Sequence, residues 1–245
     1  MLSIVSTTKF AVYDLVHTNC TKKTVIEELI ELFDEMVGET NTYTVARTIS
    51  RQEREATNSL DKGYLTYGEA SIPLMKSVLE TILGDDISFN QTPRSFVDLG
   101  SGSGRTSLMA CLLQSIIKFT DVTGIEILDS LYRMSVDIKD RFDNFNRART
   151  DQFFSAKMKF FKGSIFDLTL YDWTSNDIIF INSTCFSDEM MIKIYEHIKQ
   201  TRRGTYVISF TFPLYSIKPI VLDLVRELRL ETSWGQADIF IQKKI

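Results

Sequence analysis

The chain has 245 residues, 44% of them apolar and 24% charged, with 28 Lys and Arg against 32 Asp and Glu, a formal net charge of −4. That length suits one large domain, or one domain with a helical extension. The acidic balance argues against a globally basic nucleic-acid binder while leaving room for a local basic patch, and without a long apolar run or signal segment the chain reads as neither membrane-spanning nor secreted.

In chain order, residues 24–36 (TVIEELIELFDEM) carry apolar side chains at amphipathic helical spacing. Residues 47–59 (RTISRQEREATNS) are charged and also read as helix, so the first 60 residues form a helical N-terminal region. After the turn-prone Asp61-Lys62-Gly63, residues 72–83 read as a helix with Pro73 in its first turn and Gly84 at its stop. From Ser95 the pattern alternates: strand 95–99, helix 106–119, strand 122–127, helix 130–145, strands 158–162 and 177–182, helix 188–200, strand 205–210, then strands 228–232 and 237–242. This predicts an α/β fold over 61–245, a mostly parallel twisted sheet of about seven strands with helices on both faces, whose ligand site lies at the carboxyl ends of the strands.

Cys20, Cys111 and Cys185 are read as buried free thiols, and with His17 and His197 as the only histidines a zinc site or a Ser-His-Asp triad is not expected. The chemistry concentrates at one turn. Gly100, Gly102 and Gly104 follow the 95–99 strand and precede a helix. Glycines there allow positive φ and close approach of a ligand to backbone N–H groups. Glu126, ending the next strand, can accept from the two ribose hydroxyls of a nucleoside. The spacing is G-x-G-x-G rather than the dinucleotide pattern, and Asp98 would repel a pyrophosphate but attract an ammonium. These residues favour S-adenosylmethionine, with S-adenosylhomocysteine as product and no metal, over an NAD-type cofactor or a turn that is merely tight. At the later strand end, Phe180 and Phe186 flank Asn182 and can wall an apolar channel in which a lysine sheds its proton more readily. The alternative is that Phe180 is core and Asn182 caps the helix from Asp188.

"YGEAS" (67–71), "VDLGSGSG" (97–104), "GIE" (124–126), "FINSTCF" (180–186) and "SW" (233–234) stand in an order that resembles the disruptor-of-telomeric-silencing (Dot1-like) family of non-SET histone H3 lysine methyltransferases. The resemblance covers roughly 60–245 and implies a class I methyltransferase catalytic domain there. It implies that Asn182, Tyr67 and Phe186 surround the transferring methyl. The cofactor would be held by Tyr67, Glu69, Asp98, Gly100, Ser101, Gly102, Arg105, Thr106, Glu126, Ile127, Ser164, Ile165 and Asn182. Phe180, Phe186 and Trp234 would line the lysine channel. It further implies a nucleosome as partner, with weak DNA contact at most, and a nuclear location. The chain departs from the family's pattern at three places: Ser164-Ile165 replaces an Asp-Phe pair for adenine, with Asp167, or more weakly Ser164, as the substitute acceptor. Ser183 replaces a second Asn. Ile239 or Phe240 stands near an expected tyrosine. Arg202-Arg203 and Arg141, Arg147 and Arg149 are candidate basic contacts for a nucleosome. Competing readings are a class I methyltransferase acting on a non-histone protein or a small molecule, and a non-catalytic relative.

Overall fold

The computed structural model describes residues 24–58, 63–148 and 154–245. Cys20, His17, Arg149 and the expected division at 60/61 fall outside these residues. Two helices open the described chain. Thr24 begins α1 (Val25–Val37) with a capping box, its hydroxyl accepting from the Glu27 N–H while the Glu27 carboxylate accepts from the Thr24 N–H. Thr42 caps α2 (Tyr43–Ala56), which starts four residues before the expected position. Ser71 caps α3 (Ile72–Asp85) with Pro73 in its first turn, and α3 runs one residue past Gly84.

The strands β1 (Arg94–Leu99), β2 (Phe119–Glu126), β3 (Lys157–Lys162), β4 (Ile178–Ile181), β5 (Tyr206–Phe210), β6 (Leu222–Thr232) and β7 (Gly235–Lys244) form one sheet in the order β3-β2-β1-β4-β5-β7-β6. The first five are parallel; β7 runs antiparallel between β5 and β6. Between them lie α4 (Arg105–Leu112), α5 (Asp129–Ala148) and α6 (Asp188–Ile198).

Period-2 alternation divides the interior in two. Phe96, Val122, Ile178, Phe180 and Ile208 point to the face covered by α1, α3, α4 and α5. Val97, Leu99, Ile125, Ile179, Ile181 and Val207 point to the other face, against α6 and Trp173. Burial on both faces explains why these strands read as continuous apolar runs. The chain proceeds from β1 outward to β2 and β3, then returns to β4 on the other side of β1. That reversal opens a crevice at the carboxyl ends of β1 and β4.

Three further element boundaries differ from expectation. The helix expected over 106–119 stops at Leu112, and β2 starts at Phe119, whose ring is buried edge-on against Phe96 at 5.6 Å. Packing against the neighbouring strand outweighs the helical spacing of residues 113–118. β6 begins at Leu222 rather than Leu228; as an outer strand broken by a register shift between Leu224 and Arg226, it lacks the apolar run that marks the interior strands. Among the described residues, no helix is long and apolar enough to cross a membrane.

Candidate functional site

At the end of β1, Gly100, Gly102 and Gly104 all have positive φ, of 82°, 55° and 86°. Two of them are also sterically obligatory. A Cβ on Gly102 would sit 2.4 Å from the Tyr67 ring, and one on Gly104 would sit 2.7 Å from Phe160. The elbow is fastened to the end of β2. The Gly100 and Ser101 N–H groups both donate to the Ile125 carbonyl at 2.9 Å. Glu126 accepts from the Gly102 N–H and the Leu128 N–H at 2.8 Å each. The Ile127 N–H also bears on this carboxylate, which still keeps acceptor capacity for a further donor.

Beside the elbow, Asp98 is almost fully buried, and its Oδ2 has no partner, nor has the Ser101 hydroxyl. Burial, and then the nearby Glu126 carboxylate, push the Asp98 acid up to about 8. A buried, unpartnered carboxylate calls for a cationic ligand group at this point. Arg105 and Thr106, at the start of α4, line the same recess. The Arg105 guanidinium is committed elsewhere: its Nε lies 2.7 Å from Glu69 Oε2, its Nη1 donates to the Asn41 carbonyl at 3.1 Å, and its Cζ sits 4.8 Å from the Phe33 ring centroid.

The segment carrying Tyr67, Gly68 and Glu69 roofs this recess. The Tyr67 hydroxyl donates to Glu69 and accepts from Ser103 Oγ at 2.6 Å. Burial and the Glu69 charge raise the Tyr67 acid far above its ordinary value, so the phenol stays neutral and is no base. Glu69 is itself raised by burial, against the pull of Arg105. Three contacts hold the segment from outside. The Asn182 Nδ2 donates to the Gly68 carbonyl at 3.1 Å, the Glu69 N–H donates to Ser233 Oγ at 2.9 Å, and the Trp234 indole packs on Gly68 so closely that a Cβ there would meet it at 2.6 Å. The distant "YGE" and "SW" segments are therefore one piece of architecture, the β6–β7 hairpin tip seated on the loop before α3.

These parts surround a pocket of about 490 Å³, which also opens onto Ile127, Ser164, Ile165 and Phe186. The Phe186 ring lies over the elbow, 3.6 Å from where a Gly100 Cβ would be. Asn182 borders both the pocket and the recess at Asp98. It caps no helix: Ser187 is the N-cap of α6.

Several expectations are corrected. Phe180 is not a channel wall: it is 1% exposed, on the inner face of β4 against Phe96 and Phe210. Since β4 alternates, Ile179 and Ile181 face α6, Phe180 faces the opposite core, and only the chain beyond the strand reaches the pocket. Asp167 is not among the residues lining the pocket, whereas Ser164 is; the Asp167 Oδ1 accepts from the Thr169 N–H at 3.1 Å and hydroxyl at 2.6 Å. Cys111 is buried, and burial raises its thiol, but Cys185 is exposed on the pocket wall. Arg202 is paired with Asp177, and Arg141 is bound to Val37, Thr40 and Asp137, so neither is a free docking charge. Among the described residues no three His, Cys, Asp or Glu gather as a metal site.

Other wall residues were not foreseen. Tyr43 and Arg47 of α2 line the pocket, with Tyr43 stacked on Tyr67 at 6.0 Å. Phe166 lines it one residue after Ile165, with Lys193 of α6 5.8 Å from its ring. The aromatic at 166 was visible in the sequence, one place from the expected position; nothing local marked Tyr43 and Arg47.

The family model described as "Histone methylation protein DOT1" matches residues 47–219. No curated protein matches the chain. Among solved structures, it is similar to an RNA methyltransferase from Salinibacter ruber in complex with S-adenosyl-L-homocysteine, at 19% identity and a TM-score of 0.50 over 72% of this chain and 93% of that one. It is also similar to the rRNA methyltransferase aviRa from Streptomyces viridochromogenes, at 8% identity and a TM-score of 0.54 over 72% and 86%. Likeness at such identities concerns the fold, a class I methyltransferase sheet.

Proposed function

The chain belongs to the DOT1 family of histone methylation proteins, and from that membership we propose that it is a protein-lysine N-methyltransferase acting on histone H3 in the nucleosome. Its cofactor is S-adenosylmethionine. Bound, that molecule supplies a methyl group on a sulfonium, open to attack by an amine.

The observation carrying this reading is the unpartnered, buried Asp98 beside the glycine elbow, continuous with a pocket walled by Phe186, Asn182 and Trp234. Asp98 would hold the amino group of the cofactor, Glu126 its ribose, and Ser164, Ile165 and Phe166 would enclose the base. Phe186 and Trp234 would form the apolar walls around an acceptor nitrogen. A lysine there loses hydration, which favours its neutral, nucleophilic form. Neutral Tyr67 and the amide of Asn182 supply no base, so alignment and exclusion of water carry the rate. An enzyme with this acceptor works in the nucleus, with few DNA contacts of its own.

A second reading, methylation of a non-histone protein or a small molecule, is favoured by one observation: Arg141 and Arg202 are engaged within the chain. Calorimetry tests the cofactor half. S-adenosylhomocysteine should bind and NAD should not; the reverse result would dismiss the assignment. The acceptor half is decided by label transfer.

A further inference from the structure

Beyond β4, three consecutive polar residues each tie the chain to something different. Asn182 donates to Gly68, as described. The Ser183 hydroxyl, wholly buried, donates to the Phe210 carbonyl at 2.6 Å and accepts from the Phe210 N–H at 3.0 Å. The Thr184 hydroxyl donates to Asn182 Oδ1 at 3.3 Å, and the Thr211 hydroxyl lies 3.5 Å from Thr184 Oγ1. Thr211 has φ +67°, a left-handed conformation unusual for a β-branched residue. It is held there by Ser183 on the preceding residue and by its own N–H donating to the Asp238 carbonyl at 2.9 Å. Strain of this kind persists where surrounding structure overdetermines it, and it clusters at functional sites.

The chemistry of the partners fixes the Asn182 amide. The Gly68 carbonyl can only accept, so the Asn182 NH2 must face it, and the amide oxygen must face Thr184, whose hydroxyl donates. Thr184 occupies one lone pair of that oxygen and leaves the other for a further donor; Asn182 and Thr184 both line the pocket.

We infer that Thr184, backed by the strained Thr211, is a positioning residue for methyl transfer: it holds the Asn182 amide with its oxygen turned to the acceptor nitrogen, acting through Asn182 rather than touching the acceptor. The inference rests on the methyltransferase reading of the pocket. Without the Thr184 hydroxyl, the amide loses the contact that fixes its oxygen, and its remaining bond to Gly68 opens more readily.

The test has two arms, so that the two readings fail separately. In 15N-asparagine-labelled protein, the Asn182 side-chain amide is assigned by its disappearance in Asn182→Ala. Its hydrogen exchange should accelerate at least tenfold in Thr184→Val and stay within about twofold of the parent in Thr184→Ser, since the serine keeps the donor. In turnover, Thr184→Val should lower kcat about tenfold with the KM for S-adenosylmethionine unchanged, the split expected when acceptor geometry alone is disturbed. Thr184→Ser should restore most of kcat. Thr211→Gly relieves the left-handed backbone, so it should not lower the melting temperature, yet kcat should fall because the second hydroxyl is gone. Equal amide exchange in Thr184→Val and parent, or a kcat loss that Thr184→Ser shares in full, overturns the inference. If the parent methylates no acceptor, the methyltransferase reading fails while the amide arm still decides the positioning.

Discussion

Asp98 couples the site to protons. In the folded chain its acid is raised to about 8, by burial first and then by Glu126. An unfolded aspartate titrates near about 4. Between those values the folded, ligand-free protein holds a proton that the unfolded chain has released, so its stability falls as pH rises from about 4 to about 8 and levels off above. An ammonium facing Asp98 favours the ionised form. Binding of S-adenosylhomocysteine at pH 7 should therefore release about one proton, and affinity should rise between pH 6 and 7.5. Calorimetry in two buffers of different ionisation enthalpy measures the release. Asp98→Asn should abolish it and weaken binding by about 1.5–3 kcal/mol, the range for hydrogen bonds to charged groups. Unchanged affinity in that variant would remove Asp98 from the site. Gly102 is the steric counterpart. Gly102→Ala drives a Cβ into the Tyr67 ring at a φ of 55°, so the ring, which lines the recess at Asp98, must move, and cofactor affinity should fall at least tenfold in the same titration. Both residues were legible in the sequence, because the elbow's chemistry is local: three glycines, one carboxylate before them, one at the next strand end. Phe180 was misread for an equally simple reason. Facing direction alternates along a strand: Ile179 and Ile181 face α6, so Phe180 between them turns into the opposite core, against Phe96 and Phe210.

At the scale of elements, α2 is part of the site although nothing in its sequence says so. Both carboxylate oxygens of Glu53 accept from the first free N–H groups of α5, Asp129 and Ser130, at 2.8 Å each. One helix thus caps another beside Leu128 and Leu131, which line the pocket. The neighbouring turn is clamped from two sides, with Arg105 on the Asn41 carbonyl and Arg141 on the Val37 carbonyl and Thr40. Glu53→Ala should cost about 1–2 kcal/mol, as loss of a strong N-cap does, and chemical denaturation should show a lower midpoint with an unchanged slope. An unaltered midpoint would mean that the α2–α5 junction contributes nothing to stability. The helical character of residues 24–58 was readable from periodicity and caps. Which helix covers the pocket depends on Glu53 meeting a helix some 76 residues away, and no local pattern encodes that pairing.

For the whole molecule, the fold class was predictable because alternating apolar runs and amphipathic helices permit few arrangements, and the family resemblance because distant segments meet in space. The loop bearing Gly68 and Glu69 touches the elbow through Arg105, the end of β4 through Asn182 and the β6–β7 tip through Ser233 and Trp234. Such a closed ring of contacts explains why "YGE", "GSGSG", "NST" and "SW" occur together in one chain. The surface was less legible: charges that looked available for docking have partners within the chain, as the exposed Arg202 has in Asp177. The proposed methyl transfer to a lysine of nucleosomal H3 is tested by incubating the chain with methyl-labelled S-adenosylmethionine and reconstituted nucleosomes, free H3 and total RNA in parallel, with mass spectrometry of every product. Methyl groups should appear on a lysine ε-amine of H3, with nucleosomes preferred to free H3; label confined to RNA, a small molecule or a non-histone protein would dismiss the proposal.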